Sequence, residues 1–373
     1  MAVRIGFAYN EKPSLPAPKK AGDSPPAAPP LDHVPSSRVL RPDLPQPDLY
    51  AEWDEPETIE AVASALGTLG EVIRLEATHD FPRRVKDARP DFVFNIAEGL
   101  HGVNRESHVP AICEFLGIPY HASDPLSLAL TLHKGRAKEI MAYYGVPTAP
   151  FVVVTTRAEA RNLSLPFPLF AKPALEGSGK GITEKSLCTN RAKLLQEVSE
   201  LLDTYQEPVL IESWLPGQEF TVAILGNGKE ARCLPLVAMR WEALPLGAQP
   251  IYGYEAKWLW DTPEHPLDLF ECPAKVSKEL ARDVRSAALG AYRVLGCRDW
   301  CRVDVRCDAA GRPMVVELNP LPGILPNPKD NSCFPKAARA AGMSYDSLIQ
   351  TVADIAWRRI SGQALLKRKR AAA

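Results

Sequence analysis

Four polar side chains in the last third of the chain carry its strongest chemical signal. They lie in Cys301-Arg302-Val303-Asp304 and Val316-Glu317-Leu318-Asn319-Pro320. On a strand, side chains alternate between faces, so Arg302 and Asp304 share one face, as do Glu317 and Asn319. Asp308-Ala309-Ala310-Gly311-Arg312-Pro313 between them is a run of turn formers that suits a hairpin loop. Pairing Cys307 with Met314 sets Asp304 opposite Glu317 and Arg302 opposite Asn319. Opposed side chains in such a pair sit roughly 5 Å apart, where like charges repel. Two carboxylates and an amide beside an arginine therefore ask for a hard cation, and oxygen ligands of this kind suit magnesium bound jointly with substrate phosphates. The competing reading is the solvated polar face of an edge hairpin.

A second segment, Glu176-Gly177-Ser178-Gly179-Lys180-Gly181, follows a strand that ends in Lys172. Backbone N–H groups of such a loop can cradle phosphate oxygens, and serine adds a donor. The G-x-x-x-x-G-K-[ST] spacing of a P-loop is absent, and a tight turn is the plain alternative. Cys297, Cys301 and Cys307 have neither a paired C-x-x-C nor a histidine at ligand spacing, so they read as buried free thiols.

The elements that position these residues follow from periodicity. Val3 to Tyr9 reads as a short buried strand rather than a secretory signal. Residues 13–47 hold nearly a third of the 36 prolines and few large apolar residues, the composition of an extended or disordered insertion. Asp54-Glu55-Pro56-Glu57 has the form of a capping box, and Ile59, Val62, Leu66 and Leu69 recur at helical spacing. Strands at Val72–Leu75 and Asp91–Asn95 complete an α/β pattern with a mostly parallel sheet. Leu126 to Tyr144 is helical in pattern, stopped by Gly145 and Pro147. Strands at Phe151–Val154 and Leu169–Lys172 flank the glycine-rich loop. From Val209 the chain is strand-rich, closed by helices at Ala281–Leu295 and Tyr345–Ile360.

With 373 residues, 46% apolar and 24% charged, the composition is that of a cytoplasmic enzyme with more than one core. A net charge of -1 leaves no footprint for nucleic acid. No apolar run approaches the roughly 20 residues that span a bilayer. Lys367-Arg368-Lys369-Arg370 reads as a solvated tail.

Several segments in order resemble the D-alanine–D-alanine ligases of the ATP-grasp superfamily. They are Phe167-Pro-Leu-Phe-Ala-Lys172-Pro-Ala-Leu-Glu176-Gly-Ser-Gly-Lys-Gly181, then Val209-Leu-Ile-Glu212-Ser-Trp-Leu-Pro-Gly-Gln-Glu219, then Gly253-Tyr-Glu-Ala-Lys257-Trp258. The hairpin and Phe334-Pro-Lys-Ala-Ala-Arg complete the series. The resemblance implies an α/β and α+β chain with an ATP-grasp fold. A Rossmann-like preATP-grasp domain would span 1–122 with the insertion at 13–47. A central subdomain would span 123–207, a carboxy-terminal subdomain 208–362 and a basic tail 363–373.

It also implies roles. Lys134, Lys172, Lys257 and Ser178 would hold the phosphates of ATP, with Glu176 and Gly177 of the same loop also in the ATP site. Glu212 and Leu215 would meet the adenine, and Glu219 the ribose. Asp304, Glu317 and Asn319 would bind two magnesium ions, with manganese a substitute, and Arg302 would be catalytic at the reacting carbonyl. The implied reaction joins a carboxylate to an amine through an acylphosphate, with D-alanine the first substrate to test. Ligation of other amino acids or a peptide, and nucleotide binding without ligation, are the alternatives. Amino acids would be the only partners, with a homodimer left open.

The front of the chain departs from the family pattern. Its G-G-x-S-x-E-x-x-V-S segment is replaced by Tyr9-Asn10-Glu11-Lys12-Pro13, and Glu98 stands where the family has histidine. Trp258 replaces the tyrosine used for D-alanine acceptors or the phenylalanine used for D-lactate. Leu321 to Asp330 is longer than its counterpart. Glu98, Trp258, Gly323 and Ser332 are the candidate substrate contacts.

Overall fold

In the computed structural model, β1 (Val3–Tyr9) runs between β2 (Gly70–Glu76) and β3 (Phe92–Asn95), parallel to both. The structure describes residues 2–13, 50–253, 256, 260 and 267–366. Most of the proline-rich segment, Lys257, Trp258 and the basic end of the tail lie outside the described residues. Ile5 to Tyr9 are all buried because helices cover both faces of this sheet, which is why the strand shows no alternation. On one face α1 (Pro56–Gly67) turns Ile59, Val62 and Leu66 inward. On the other, α2 (Phe81–Ala88) and α3 (His108–Leu116) contribute Phe81, Val85, Val109 and Cys113.

The capping box expected at Asp54 does not form. Glu55 is the cap residue, with no side-chain bond, and Pro56 opens the helix. The backbone of Asp54 is engaged elsewhere: its N–H donates to Asn10 O at 3.0 Å, and its carbonyl accepts from Lys12 N–H at 2.9 Å. That bridge holds the chain after β1 against the segment preceding α1.

The single helix expected over Leu126–Tyr144 is two: α4 (Pro125–Leu132) and α5 (Lys134–Tyr143). His133 breaks them with ψ at 89°, and its Nδ1 accepts from Arg136 N–H at 3.4 Å. The break puts Lys134 in the first turn of α5, where its N–H donates to Ala174 O at 2.9 Å.

A four-stranded antiparallel sheet follows, ordered β4-β7-β5-β6 from β4 (Phe151–Val154), β5 (Leu169–Pro173), β6 (Leu187–Cys188) and β7 (Val209–Ser213). Leu169, Ala171, Val209 and Ile211 pack under α6 (Arg157–Arg161) and α7 (Arg191–Tyr205). Strand alternation therefore turns Phe170, Lys172 and Glu212 to the opposite side.

The third sheet is ordered β11-β10-β8-β12-β13, with β9 beside β8. Its strands are β8 (Glu219–Leu225), β9 (Arg232–Cys233), β10 (Val237–Met239), β11 (Phe270–Glu271), β12 (Trp300–Cys307) and β13 (Pro313–Asn319). Phe220, Val222, Ile224, Cys301, Val303 and Val305 pack on Val284, Ala288 and Ala291 of α8 (Lys278–Val294). Ser277 caps that helix by accepting from Leu280 N–H at 3.1 Å. α9 (Cys333–Ala340) and α10 (Tyr345–Ser361) join this sheet to the first, with Phe92 against Trp357 at 5.4 Å between ring centroids.

The hairpin register corrects one expectation and keeps its consequence. Cys307 pairs with Pro313, not Met314, yet Asp304 still faces Glu317 and Arg302 faces Asn319. A β-bulge between Asp304 and Val305 absorbs the one-residue difference. Val315 turns into the core while its neighbours Val316 and Glu317 both face the cleft. The bulge is pinned from outside, since Val315 N–H donates to Pro147 O at 2.8 Å and Thr148 Oγ1 to Val315 O at 2.8 Å.

Candidate functional site

The polar faces of the second and third sheets and the front loops of the first enclose a cleft of about 560 Å³. Period-two alternation on β8 and β12 delivers Glu219, Thr221, Arg302, Asp304 and Arg306 to one wall. Lys172, Glu212, Ser213 and Leu215 line the facing wall, with Gly177 and Ser178 at its edge. Gly323 and Ser332 border the floor, and Glu98 and Glu106 the front.

Arg302 Nη2 and Nε donate to Asp304 Oδ2 at 3.0 and 3.2 Å, and Nη2 lies 3.8 Å from Glu317 Oε1. Thr221 Oγ1 donates to Asp304 Oδ1 at 2.9 Å, and Asn319 Nδ2 reaches Asp304 at 3.5 Å. Lys134 Nζ lies 3.5 Å from Glu317 Oε2 and also donates to Glu176 O. Asp304, Glu317 and Asn319 thus form a half-buried set of hard oxygen donors, the chemistry a divalent magnesium-like cation requires.

Across the cleft, Lys172 Nζ and Lys138 Nζ pair with the two oxygens of Glu212 at 2.9 and 2.8 Å, all three side chains being buried. Burial opposes ionisation of Glu212, but the two ammonium groups prevail and pull its pKa down to about 2. Burial likewise works against charge on Lys172, and Glu212 and Glu317 outweigh it to raise its pKa. Lys138 was not among the residues expected from sequence. It lies four residues after Lys134 and so on the same face of α5, a spacing that offered the signal.

The glycine-rich loop is held by Glu52, which sequence reading also missed. Gly177 N–H donates to Glu52 Oε1 at 3.0 Å, and Lys180 Nζ donates to Glu52 Oε2 at 2.9 Å and Glu176 Oε2 at 3.1 Å. Arg105 Nη2 donates to Glu52 Oε1 at 2.8 Å and to Glu176 at 3.2 Å, while its Nη1 reaches Leu175 O at 2.9 Å. A Cβ on residue 177 would stand 2.4 Å from Glu52 Oε1, so the contact itself demands glycine there. Burial would raise the pKa of Glu52, but Arg105 and Lys180 bring it down to about 2. Arg105 thus ties Glu52 to Glu176. Glu52, Glu98 and Glu106 approach one another within 4.8 Å, and Arg105 and Lys180 already pair with Glu52. Burial raises Glu98 well above the usual carboxylate range and lifts Glu106 to about 7.

These bonds predict the effect of Glu52→Ala. The loop at Glu176–Gly181 loses its anchor, and its amides should exchange with deuterium at least about tenfold faster by mass spectrometry, as in a locally opened segment. Unchanged exchange would show that another contact holds the loop.

Two sheets closing on a cleft lined by Lys172, a glycine-rich loop and a carboxylate hairpin define the ATP-grasp fold. A D-alanine–D-alanine ligase of Bacillus anthracis, solved in complex with ATP, has that fold. It superposes with a TM-score of 0.67 and 22% identity, covering 96% of this chain and 98% of that one. An uncharacterized protein of Sinorhizobium fredii is 34% identical over 331 residues, 86% of this chain and 94% of its own. The D-alanine–D-alanine ligase of Halalkalibacterium halodurans is 34% identical over 290 residues, 76% of this chain and 88% of its own. Residues 140–354 match the family model described as the D-ala D-ala ligase C-terminus. The chain belongs to the D-alanine–D-alanine ligase family, and is an ATP-dependent ligase forming carbon–nitrogen bonds.

Proposed function

We propose that the cleft joins two amino acids, D-alanine first among them, by phosphorylating the carboxylate of one and letting the amine of the other displace phosphate. A carboxylate is a poor electrophile. Its oxygen attacks the γ-phosphorus of ATP, the bond to the β-bridging oxygen breaks, and ADP and an acylphosphate result. The neutral amine then attacks the acyl carbon, the tetrahedral oxyanion collapses, the C–O bond breaks, and inorganic phosphate leaves and takes up the proton the amine nitrogen gives up as the peptide bond forms.

The observation that carries this reading is the meeting of complementary walls in one cleft. Lys172 and Lys134 face the hairpin of Asp304, Glu317 and Asn319, with Gly177 and Ser178 of the glycine-rich loop at the rim. Lys134 and Lys172 hold phosphate oxygens, Ser178 adds a donor from the loop, and Glu212 with Leu215 borders the purine. Arg302 stands over the carboxylate pair, where it neutralises the oxyanion as charge develops. Asp304, Glu317 and Asn319 would hold two magnesium ions, which supply charge neutralisation to the β- and γ-phosphates when bound. At the front, burial raises the pKa of both Glu98 and Glu106, and an arriving ammonium group would favour their charged forms.

Release of phosphate from ATP and magnesium, screened over D- and L-amino acids singly and in pairs, tests the reading. Release with D-alanine and appearance of the dipeptide support it; release only with another pair transfers the mechanism to that pair. Arg302→Ala should cut the rate by about 10²–10³ with little change in folding, since Arg302 lies on the cleft face of β12. A variant within a few-fold of the parent would remove Arg302 from the chemistry.

A further inference from the structure

Lys138 is fully buried on the inner side of α5, yet it is not part of the cleft wall. A buried ammonium is costly unless its donors find partners. Here Nζ lies 2.8 Å from Glu212 Oε2, donates to Thr148 Oγ1 and sits 5.5 Å from the centre of the Phe151 ring. Phe151 and Glu212 are themselves opposed residues of β4 and β7. Glu212 gives its other oxygen to Lys172 at 2.9 Å, and Lys172, unlike Lys138, lines the cleft. Lys138 has no surface with which to touch a ligand, so anything it does for the reaction passes through its neighbours.

Thr148 carries the contact onward, from the segment between α5 and β4 to the hairpin. Its hydroxyl donates its one proton to Val315 O at 2.8 Å and accepts from Lys138. Val315 packs in the core at the β-bulge. Strict alternation from Val315 would send Glu317 and Asn319 to the core side with it, and the bulge turns both into the cleft instead. One line of contacts thus runs from Lys172 through Glu212, Lys138 and Thr148 to Val315. Its two ends lie in the two sheets that enclose the cleft.

Resting on the ATP and magnesium reading above, we infer that Lys138 is a positioning residue that, with Thr148, braces the two walls of the cleft against each other. At one end the brace holds Lys172 toward the phosphates. At the other it keeps the bulge in the register that presents Glu317 and Asn319 to the cation.

Thr148→Val and Thr148→Ser, made in the full-length protein, test the brace. Thr148→Val keeps the shape of the side chain and loses the hydroxyl, whereas Thr148→Ser keeps the hydroxyl. In Thr148→Val, without metal or nucleotide, the amides of β13 should exchange with deuterium at least about threefold faster than in the parent. The magnesium concentration for half-maximal phosphate release should rise about threefold to tenfold, the worth of one ordinary hydrogen bond. Thr148→Ser should bring both readings back close to the parent's. Lys138→Met should raise the magnesium requirement as far, and weaken ATP binding too, because Glu212 and Lys172 lose their buried companion. The double variant Lys138→Met with Thr148→Val should need no more magnesium than Lys138→Met alone, since both changes cut one line of contacts. If Lys138→Met does not fold, the two Thr148 variants decide the matter. A hydroxyl that only supports the fold would lower the melting temperature and leave β13 exchange and the magnesium requirement at the parent's values. That result, or shifts that multiply in the double variant, overturns the brace. A parent that releases no phosphate with any amino acid overturns the ligase reading instead, and β13 exchange in the ligand-free protein still judges the brace.

Discussion

Glu317→Ala is expected to lower amino-acid-dependent phosphate release by at least about 10²–10³, the usual cost of removing one preorganised electrostatic group from an active site. Glu317 is where both walls of the cleft meet. It faces Asp304 across the hairpin, lies 3.5 Å from Lys134 Nζ and 3.8 Å from Arg302 Nη2, and contributes to the raised pKa of Lys172. Its loss takes a hard oxygen donor from the cation set and removes a carboxylate that balances Lys134 and Arg302. The fold should tolerate the change, because the side chain is on the open face of β13 and Val315 and Leu318 do the packing. Thermal melting should therefore stay close to the parent's while turnover collapses. Near-parental turnover by purified, folded Glu317→Ala would refute the metal-face assignment.

Glu212→Ala should instead destabilise the whole chain, by about 3–5 kcal/mol, the cost of stranding one side of a buried ion pair. Here the stranded groups are Lys138 and Lys172, both buried and both on Glu212 at 2.8 and 2.9 Å. Glu212 has its pKa depressed from 4.5 to about 2 in the folded chain. A depressed carboxylate contributes stability that is fully present above its unfolded pKa and is lost as pH falls through the folded one. The gap in urea stability between parent and Glu212→Ala should accordingly be widest above about pH 4.5 and shrink toward pH 2. Glu52 titrates over the same window with the same sign, so the difference between the two proteins, not the parent's curve alone, isolates Glu212. A gap independent of pH would mean that packing, not charge, holds that corner.

How much of this was legible in the sequence depended on distance along the chain. The hairpin was readable because period-two alternation and a turn-forming loop are local, and they placed Asp304 against Glu317 despite a register off by one. The bulge at Val316 was not readable, because it is fixed by Pro147 and Thr148, which are far away in sequence. Lys138 and Arg306 carried local signals, a four-residue helical step from Lys134 and a two-residue strand step from Asp304. Glu52 carried none: it follows the proline-rich stretch, and its partners Arg105, Gly177 and Lys180 come from two other parts of the fold. The split of Leu126–Tyr144 into two helices was hidden for a related reason, since the hydrophobic pattern continues across His133 while the backbone turns there to let Lys134 reach the glycine-rich loop.

Transfer of the γ-phosphoryl group to a carboxylate oxygen is the step on which the whole reading depends, and oxygen labelling follows it atom by atom. With D-alanine carrying oxygen-18 in both carboxylate positions, one labelled oxygen must leave with each phosphate when the amine displaces it. Mass spectrometry of the phosphate released during ligation should show one oxygen-18 per molecule. Unlabelled phosphate, formed at the same rate as dipeptide, would mean that the carboxylate is never phosphorylated and would contradict the account.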